Sequence, residues 1–429
     1  MQKFELDLFQ PTSKMTGNEF TIEGLLTLEE VGKAVENGYK VLVEELSSKR
    51  ARAGTETVGF DDWVQATEAR LTQDTREPTR RTGYLSARGI ESALQHLVKN
   101  YKSMSELIIL PERSHERRLS RAVKISKGNG SRPSVLFIGG VHARELINPD
   151  MLVTFGLSLC QAYKNGTGLS FGSKSYDSAT IKNIVETLDV FIFPLVNPDG
   201  RTFVQSPLGE AMWRKNRNPN SGLPCKGVDI NRNYDFLWDS GIGTSANSCT
   251  DIFRGSAAFS EPETRNVRHM IDTYTNIKFM IDVHSYSELV LYPWGDDDNQ
   301  TADPTMNFKN PQFDGQRGTP GDSMYREYIP KADLDWFHET GLKIKDAISA
   351  VRGSNYTVQA GVALYPTSGT SHDFAYSLHV VDTGNRKVMA YTLETAKEFQ
   401  PTYSEALEVM SEASAGLLEF CIACTSATN

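Results

Sequence analysis

At 429 residues, with 39% apolar and 23% charged residues and a formal net charge of -9, the chain reads as a soluble globular protein. The length fits one large α/β domain with an appendage, or two to three ordinary domains. The balance excludes a disordered polar chain, and no Lys/Arg-rich run marks a nucleic-acid surface.

The opening MQKFELDLFQPTSK shows no basic-then-apolar leader pattern, and no apolar run reaches transmembrane length. The expectation is a cytoplasmic monomer without membrane contact. Next, Glu19–Leu26 reads as a strand, Thr27–Glu30 has a capping-box pattern, Gly38 can end the helix, and a second strand starts at Tyr39. A helical pattern over Phe60–Leu71 leads into the polar, basic, proline-broken Thr72–Gly83, which reads as a linker. Residues 1–80 are therefore expected to form a small α+β accessory or prosegment-like module, with the main domain over 84–429.

From Tyr84 onward helical patterns alternate with short apolar strands. A helix is expected near Ala87–Tyr101, strands at Arg121–Ile125 and Ser134–Ile138, and a helix opened by Asn148 as cap with Pro149 at its first position. Strands follow at Asp189–Val196, Ile277–Val283 and Lys387–Leu393, then a helix at Tyr403–Ile422. Such alternation predicts an α/β fold with a mixed, mostly parallel central sheet and helices on both faces. Cys421 and Cys424 have C-x-x-C spacing but end an apolar helical pattern, so they read as core. The acidic run Asp296–Asp298 reads as a solvated loop, with calcium binding as the alternative.

In open α/β sheets ligands bind beyond the carboxyl ends of the strands. SVLFIGG runs into His142, KFMIDV into His284 and VMAYTL into Glu394, so three strands each deliver a potential ligand or acid/base group there. Two histidines and a glutamate make a sufficient set for a catalytic zinc that keeps one position open. His142, Glu145 and His284 supply it.

The segments FPLVNPDG (193–200), MWRKNR (212–217), GVDINRNYDF (227–236), SGTSHDF (368–374) and YTLETAKEFQP (391–401), in this order with H-x-x-E and H-S-Y, resemble the zinc carboxypeptidases of the carboxypeptidase A type. The resemblance runs from about Tyr84 to the carboxyl end. It implies one Zn2+ on His142, Glu145 and His284, with Asp229 orienting the first histidine, where a turn-capping aspartate is the plainer reading. It implies Glu394 as general base and then acid, with Glu398 as fallback, and Arg214 facing the oxyanion. Asn231 and Arg232 would clamp the terminal carboxylate of a peptide substrate, Tyr365 would close on it, and Arg144 and Tyr286 would line upstream subsites.

After Glu394 the chain reads ETAKEFQP in place of the L-R-D-T-G run of the pancreatic-type enzymes, and looks like the bacterial and fungal branch. His372 stands where the family carries an apolar residue or an aspartate; with Leu291, Leu364 and Thr370 at neighbouring pocket positions, an apolar or mixed terminal preference is expected. Cys225 and Cys249 fall near a disulfide of the pancreatic-type enzymes, which implies secretion as the alternative to the cytoplasm. The resemblance also implies non-proline cis bonds at Ser285-Tyr286 and Pro293-Trp294, and a prosegment as one reading of residues 1–80. The rival functions are a specialised amidase of the same fold and an inactive binding module.

Overall fold

The computed structural model describes residues 57–71 and 83–427, apart from 129–131, 223–224, 381–383 and 385, together with 7–16, 19–25, 35 and 40. Strands Asp7–Thr16 and Glu19–Leu25 pair antiparallel. The second matches expectation and the first, interrupted by Pro11, was not foreseen. The expected helix from Thr27, the strand from Tyr39 and most of the linker lie outside the described residues.

The central sheet contains β1 (Ser105–Arg113), β2 (Leu119–Ile125), β3 (Ser134–Gly139), β4 (Asp189–Phe193), β5 (Ile277–Ser285), β6 (Leu289–Tyr292), β7 (Thr357–Ala360) and β8 (Met389–Thr395). Their order is β7-β6-β8-β5-β3-β4-β2-β1. The block β8-β5-β3-β4 is parallel, as is β7 with β6, whereas β6 joins β8, and β2 joins β4 and β1, antiparallel. The parallel strands SVLFIG and DVFIF are buried at every position, the mark of a strand covered on both faces. Edge strand β1, absent from the sequence-based expectation, alternates buried and exposed residues and carries Pro111.

The covering helices include α1 (Phe60–Leu71), α2 (Ala87–Asn100), α3 (Ile147–Asn165), α4 (Ser178–Thr187), α5 (Pro262–Thr273), α6 (Lys331–Arg352), α7 (Ser371–Val380) and α8 (Tyr403–Ser426). In α2, Ser86 caps the start by accepting from Gly89 N at 3.0 Å, and Ile90, Ala93, Leu94 and Leu97 form the buried stripe. Strand residues alternate faces. Phe279 of β5 meets Phe420 of α8, while Asp282, three residues on, accepts from Ser371 of α7, so these helices cover opposite faces.

Several expectations are corrected. Helix α3 begins at Ile147 with Leu146 as its N-cap and no side-chain cap, so Asn148 is not the capping residue and Pro149 is not at the first position. Asn148 is instead buried and donates toward Glu145 Oε2 at 3.4 Å. The run Asp296–Asp298 is not a solvated loop: Asp296 and Asp297 are buried. Asp297 Oδ2 accepts from Gly318 and Thr319 N, and Asp298 Oδ2 from Gly321 N, which ties down that turn. Cys421 and Cys424 are buried free thiols in α8, and Cys225 is bonded to Cys249. Both expected cis bonds are present. Among the described residues no helix is long and apolar enough to cross a membrane.

Chain segments before the sheet are stitched to it. Thr57–Val58 pairs with Tyr84–Leu85, and Val58 and Trp63 are buried in the main core. Leu85 N donates to Asp150 Oδ1 at 2.8 Å, and Arg201 donates to Leu85 O, to Leu146 O at 3.0 Å and to Asp150 Oδ2 at 2.6 Å. Arg201 and Asp150 are 2% and 0% exposed, so deleting either strands a buried charge. Arg201→Met is expected to destabilise the fold by about 3–5 kcal/mol in chemical denaturation. A loss under about 1 kcal/mol would mean that water already satisfies the pair.

Candidate metal centre and cleft

The parallel neighbours β8, β5 and β3 end level: His284 pairs with Glu394 and Val283 with Gly139. After β3 the chain turns at Gly140, whose φ of +62° and distance of 2.8 Å from a built Cβ to Pro149 Cγ leave no room for a side chain. The Asn197 amide of N-P-D-G then donates to Val141 O at 3.1 Å and Lys215 O at 3.2 Å. It thereby clamps the His142 loop to the Arg214 segment.

His142, Glu145 and His284 converge as expected, at 4%, 2% and 0% exposure. His142 Nδ1 lies 2.6 Å from Glu145 Oε1, His284 Nδ1 3.1 Å from Glu145 Oε2, and the two Nδ1 atoms 3.1 Å apart. On the far sides, His142 Nε2 lies 3.2 Å from Asp229 Oδ1 and His284 Nε2 3.0 Å from Asp282 Oδ2. A carboxylate behind each ring favours the proton on Nε2, which turns both Nδ1 lone pairs onto one point. Two lone pairs and a carboxylate facing one another in a buried space form a cation site. Burial would raise the Glu145 carboxyl, but the histidines hold it well below the usual carboxylate range.

Asp229 has both roles weighed from the sequence. Its Oδ1 faces His142 and also accepts from Asn231 N at 3.0 Å, capping the turn Ile230–Arg232. Its Oδ2 accepts from Arg214 Nε and Nη2 at 3.0 and 2.9 Å. Burial pushes the Asp229 carboxyl up, yet Arg214 and His142 prevail and hold it low.

One cleft is lined by two of the candidate ligands, His142 and Glu145, together with Arg144, Arg214, Asn231, Arg232, Tyr286, Tyr365 and Glu394. Arg232 Nε donates to Gly243 O and Nη1 to Asn231 O, both at 2.8 Å, which orients the guanidinium; its carbon lies 5.8 Å from the Tyr365 ring centre. Arg144 stacks 4.3 Å over Phe399, and Tyr286 meets the same ring edge-on at 4.8 Å. Glu394 is half-buried; burial, opposed by His284 and reinforced by Glu145, pushes its carboxyl up to about 8. Glu398 is exposed and is not in the lining.

His372 is not brought to the cleft wall. It is 3% exposed, bonds Thr392 Oγ1 through Nδ1 at 3.0 Å, and burial pushes its pKa down to about 3. Of the other expected pocket residues, Leu364 lines the cleft, while Leu291 and Thr370 do not. Sequence reasoning missed Asp282 and Phe399. The signal for Asp282 was available: a residue two before His284 in a strand shares its face.

The family model for zinc carboxypeptidases matches residues 90–415. A carboxypeptidase B from Astacus astacus is 33% identical over 284 residues, 63% of this chain and 78% of that protein. A metallocarboxypeptidase A from Arthroderma otae is 37% identical over 209 residues, 48% of this chain but only 46% of that protein. The crystal structure of a carboxypeptidase A from Helicoverpa armigera shares the fold, with a TM-score of 0.70, 21% identity and coverage of 99% of this chain and 93% of that one.

Losing the carboxylate behind His284 should loosen the site. Asp282→Asn is expected to weaken zinc binding about 10- to 100-fold, read by competition with a chromogenic chelator. An unchanged affinity would remove Asp282 from the site.

Proposed function

The chain belongs to the zinc carboxypeptidase family and is a zinc metallocarboxypeptidase, and from that premise we propose that it releases the last residue of peptides through the residues gathered in this cleft. The observation that supports the reading is the joint placement of Arg232, Asn231 and Tyr365 beside Glu394, Arg214 and the metal site.

The donor set fits zinc, with two imidazole nitrogens and one carboxylate. Bound there, a zinc ion supplies a Lewis acid that polarises the scissile carbonyl and makes water a better nucleophile. Arg232, its fork fixed by Gly243 O and Asn231 O, holds the terminal carboxylate, as a planar guanidinium suits a planar anion. Tyr365 covers that end, and Arg144 and Tyr286 hold the residues upstream. Glu394 takes the proton from the attacking water and returns it to the leaving amine. Arg214, fixed by Asp229, presents positive charge to the developing oxyanion.

With His372 withdrawn from the cleft wall, the apolar Leu364 in the lining is what supports an apolar or mixed terminal preference. The Cys225–Cys249 disulfide favours an oxidising compartment over the cytoplasmic expectation. Residues 1–80 act as an accessory or prosegment-like module, and the chain works as a monomer.

Glu394→Gln is expected to lower kcat on a blocked dipeptide by about 10²- to 10⁴-fold with zinc content unchanged. Metal-bound protein whose turnover ignores the change would favour a binding module. Blocked dipeptides ending in Phe, Leu, Arg and Glu should rank Phe and Leu first; a dominant Arg rate would overturn the apolar preference. Cleavage within 72–83 that raises activity would establish a prosegment, and no gain would establish an accessory module.

A further inference from the structure

A second group of metal-ligand side chains lies outside the cleft. His115, in the turn after β1, meets Glu261 and Glu263, which flank Pro262 at the start of α5, and one donor atom from each falls within 4.8 Å of the others. Both glutamates are 1% exposed, while the His115 side chain is 22% exposed, so a solvated ion has a way in.

The hydrogen bonds here do not complete the site. Glu261 Oε2 lies 2.9 Å from His115 Nε2 and accepts from Asn216 Nδ2 at 2.7 Å; the same amide donates to Glu263 Oε2 at 3.0 Å. Glu261 also accepts from Asn218 Nδ2 at 3.1 and 3.0 Å and from the Ser260 hydroxyl at 2.7 Å, so the shortfall falls on Glu263, whose side-chain donor among the described residues is the Asn216 amide. Glu263 Oε1 is buried with no partner, and among the described residues Glu263 has no ion pair, leaving His115 as the ion-pair partner of Glu261 alone. An orphaned carboxylate oxygen at this depth is costly unless a cation or a proton sits against it. The positive end of α5 opposes a cation, but its half charge is outweighed by two carboxylates.

We propose that His115, Glu261 and Glu263 form a second divalent-cation site, of the zinc or manganese class, distinct from the centre in the cleft. The imidazole nitrogen separates this class from calcium, which takes oxygen ligands throughout. A bound ion would join the β1 turn to the start of α5 and, through Asn216, to the segment that carries Arg214.

The test is zinc stoichiometry of the full chain by equilibrium dialysis and metal analysis, in the wild type, His115→Ala and Glu263→Gln. The wild type should hold two zinc ions and each variant one. The site is sunk by a single zinc in the wild type, or by variants that keep both ions. Glu263→Gln preserves shape, so its zinc-free thermal melt should coincide with that of the wild type; added zinc should then raise Tm more in the wild type than in either variant. An equal rise in all three would also overturn the site.

Discussion

The carboxylate of Asp229 is the point on which the catalytic half of the molecule turns. One oxygen faces a metal-site histidine and the other a guanidinium. A single buried anion therefore sets the ring of His142 and the reach of Arg214 together, with Arg232 4.0 Å away. With that anion neutral, Arg214 would lose the charge-assisted pair that fixes its fork and His142 the carboxylate behind its ring. Its own fixing is local, since it caps the turn that carries Asn231 and Arg232.

The sheet supplies the other constraint. Parallel strands in register end at the same level, so residues distant in sequence arrive at one height without any long-range design. Loops complete what strands begin: Asn197 fastens the loop after β3 to the Arg214 segment, and Asn148 steadies Glu145 from within a helix.

Much of this was legible in the sequence because it follows from chemistry at strand ends. The apolar runs before His142, His284 and Glu394 located the strands and placed their last residues at the site. What escaped reading depends on direction and depth. Asn148 looks like a helix cap, yet its side chain turns inward to Glu145, and pattern carries no information on where a polar side chain points. Three consecutive aspartates look solvated, yet backbone N–H groups from a turn twenty residues on make burial tolerable. His372 occupies the expected position in the chain, but packing places it behind the cleft wall.

The Cys225–Cys249 bond closes a loop with a sequence separation of 24, and Asp229, Asn231, Arg232 and Gly243 all lie within it. Closing a loop of that length removes about 3–4 kcal/mol of unfolded-chain freedom, on a chain-entropy view. That restraint falls on the strip proposed to recognise substrate and on the aspartate that steadies one histidine, while Glu145, in the loop after β3, and His284 and Glu394, on the sheet, stand outside it. Reducing that bond would loosen the strip proposed to hold a peptide end before the ligands that stand outside it, which ties that proposed hold to the redox state of the surroundings.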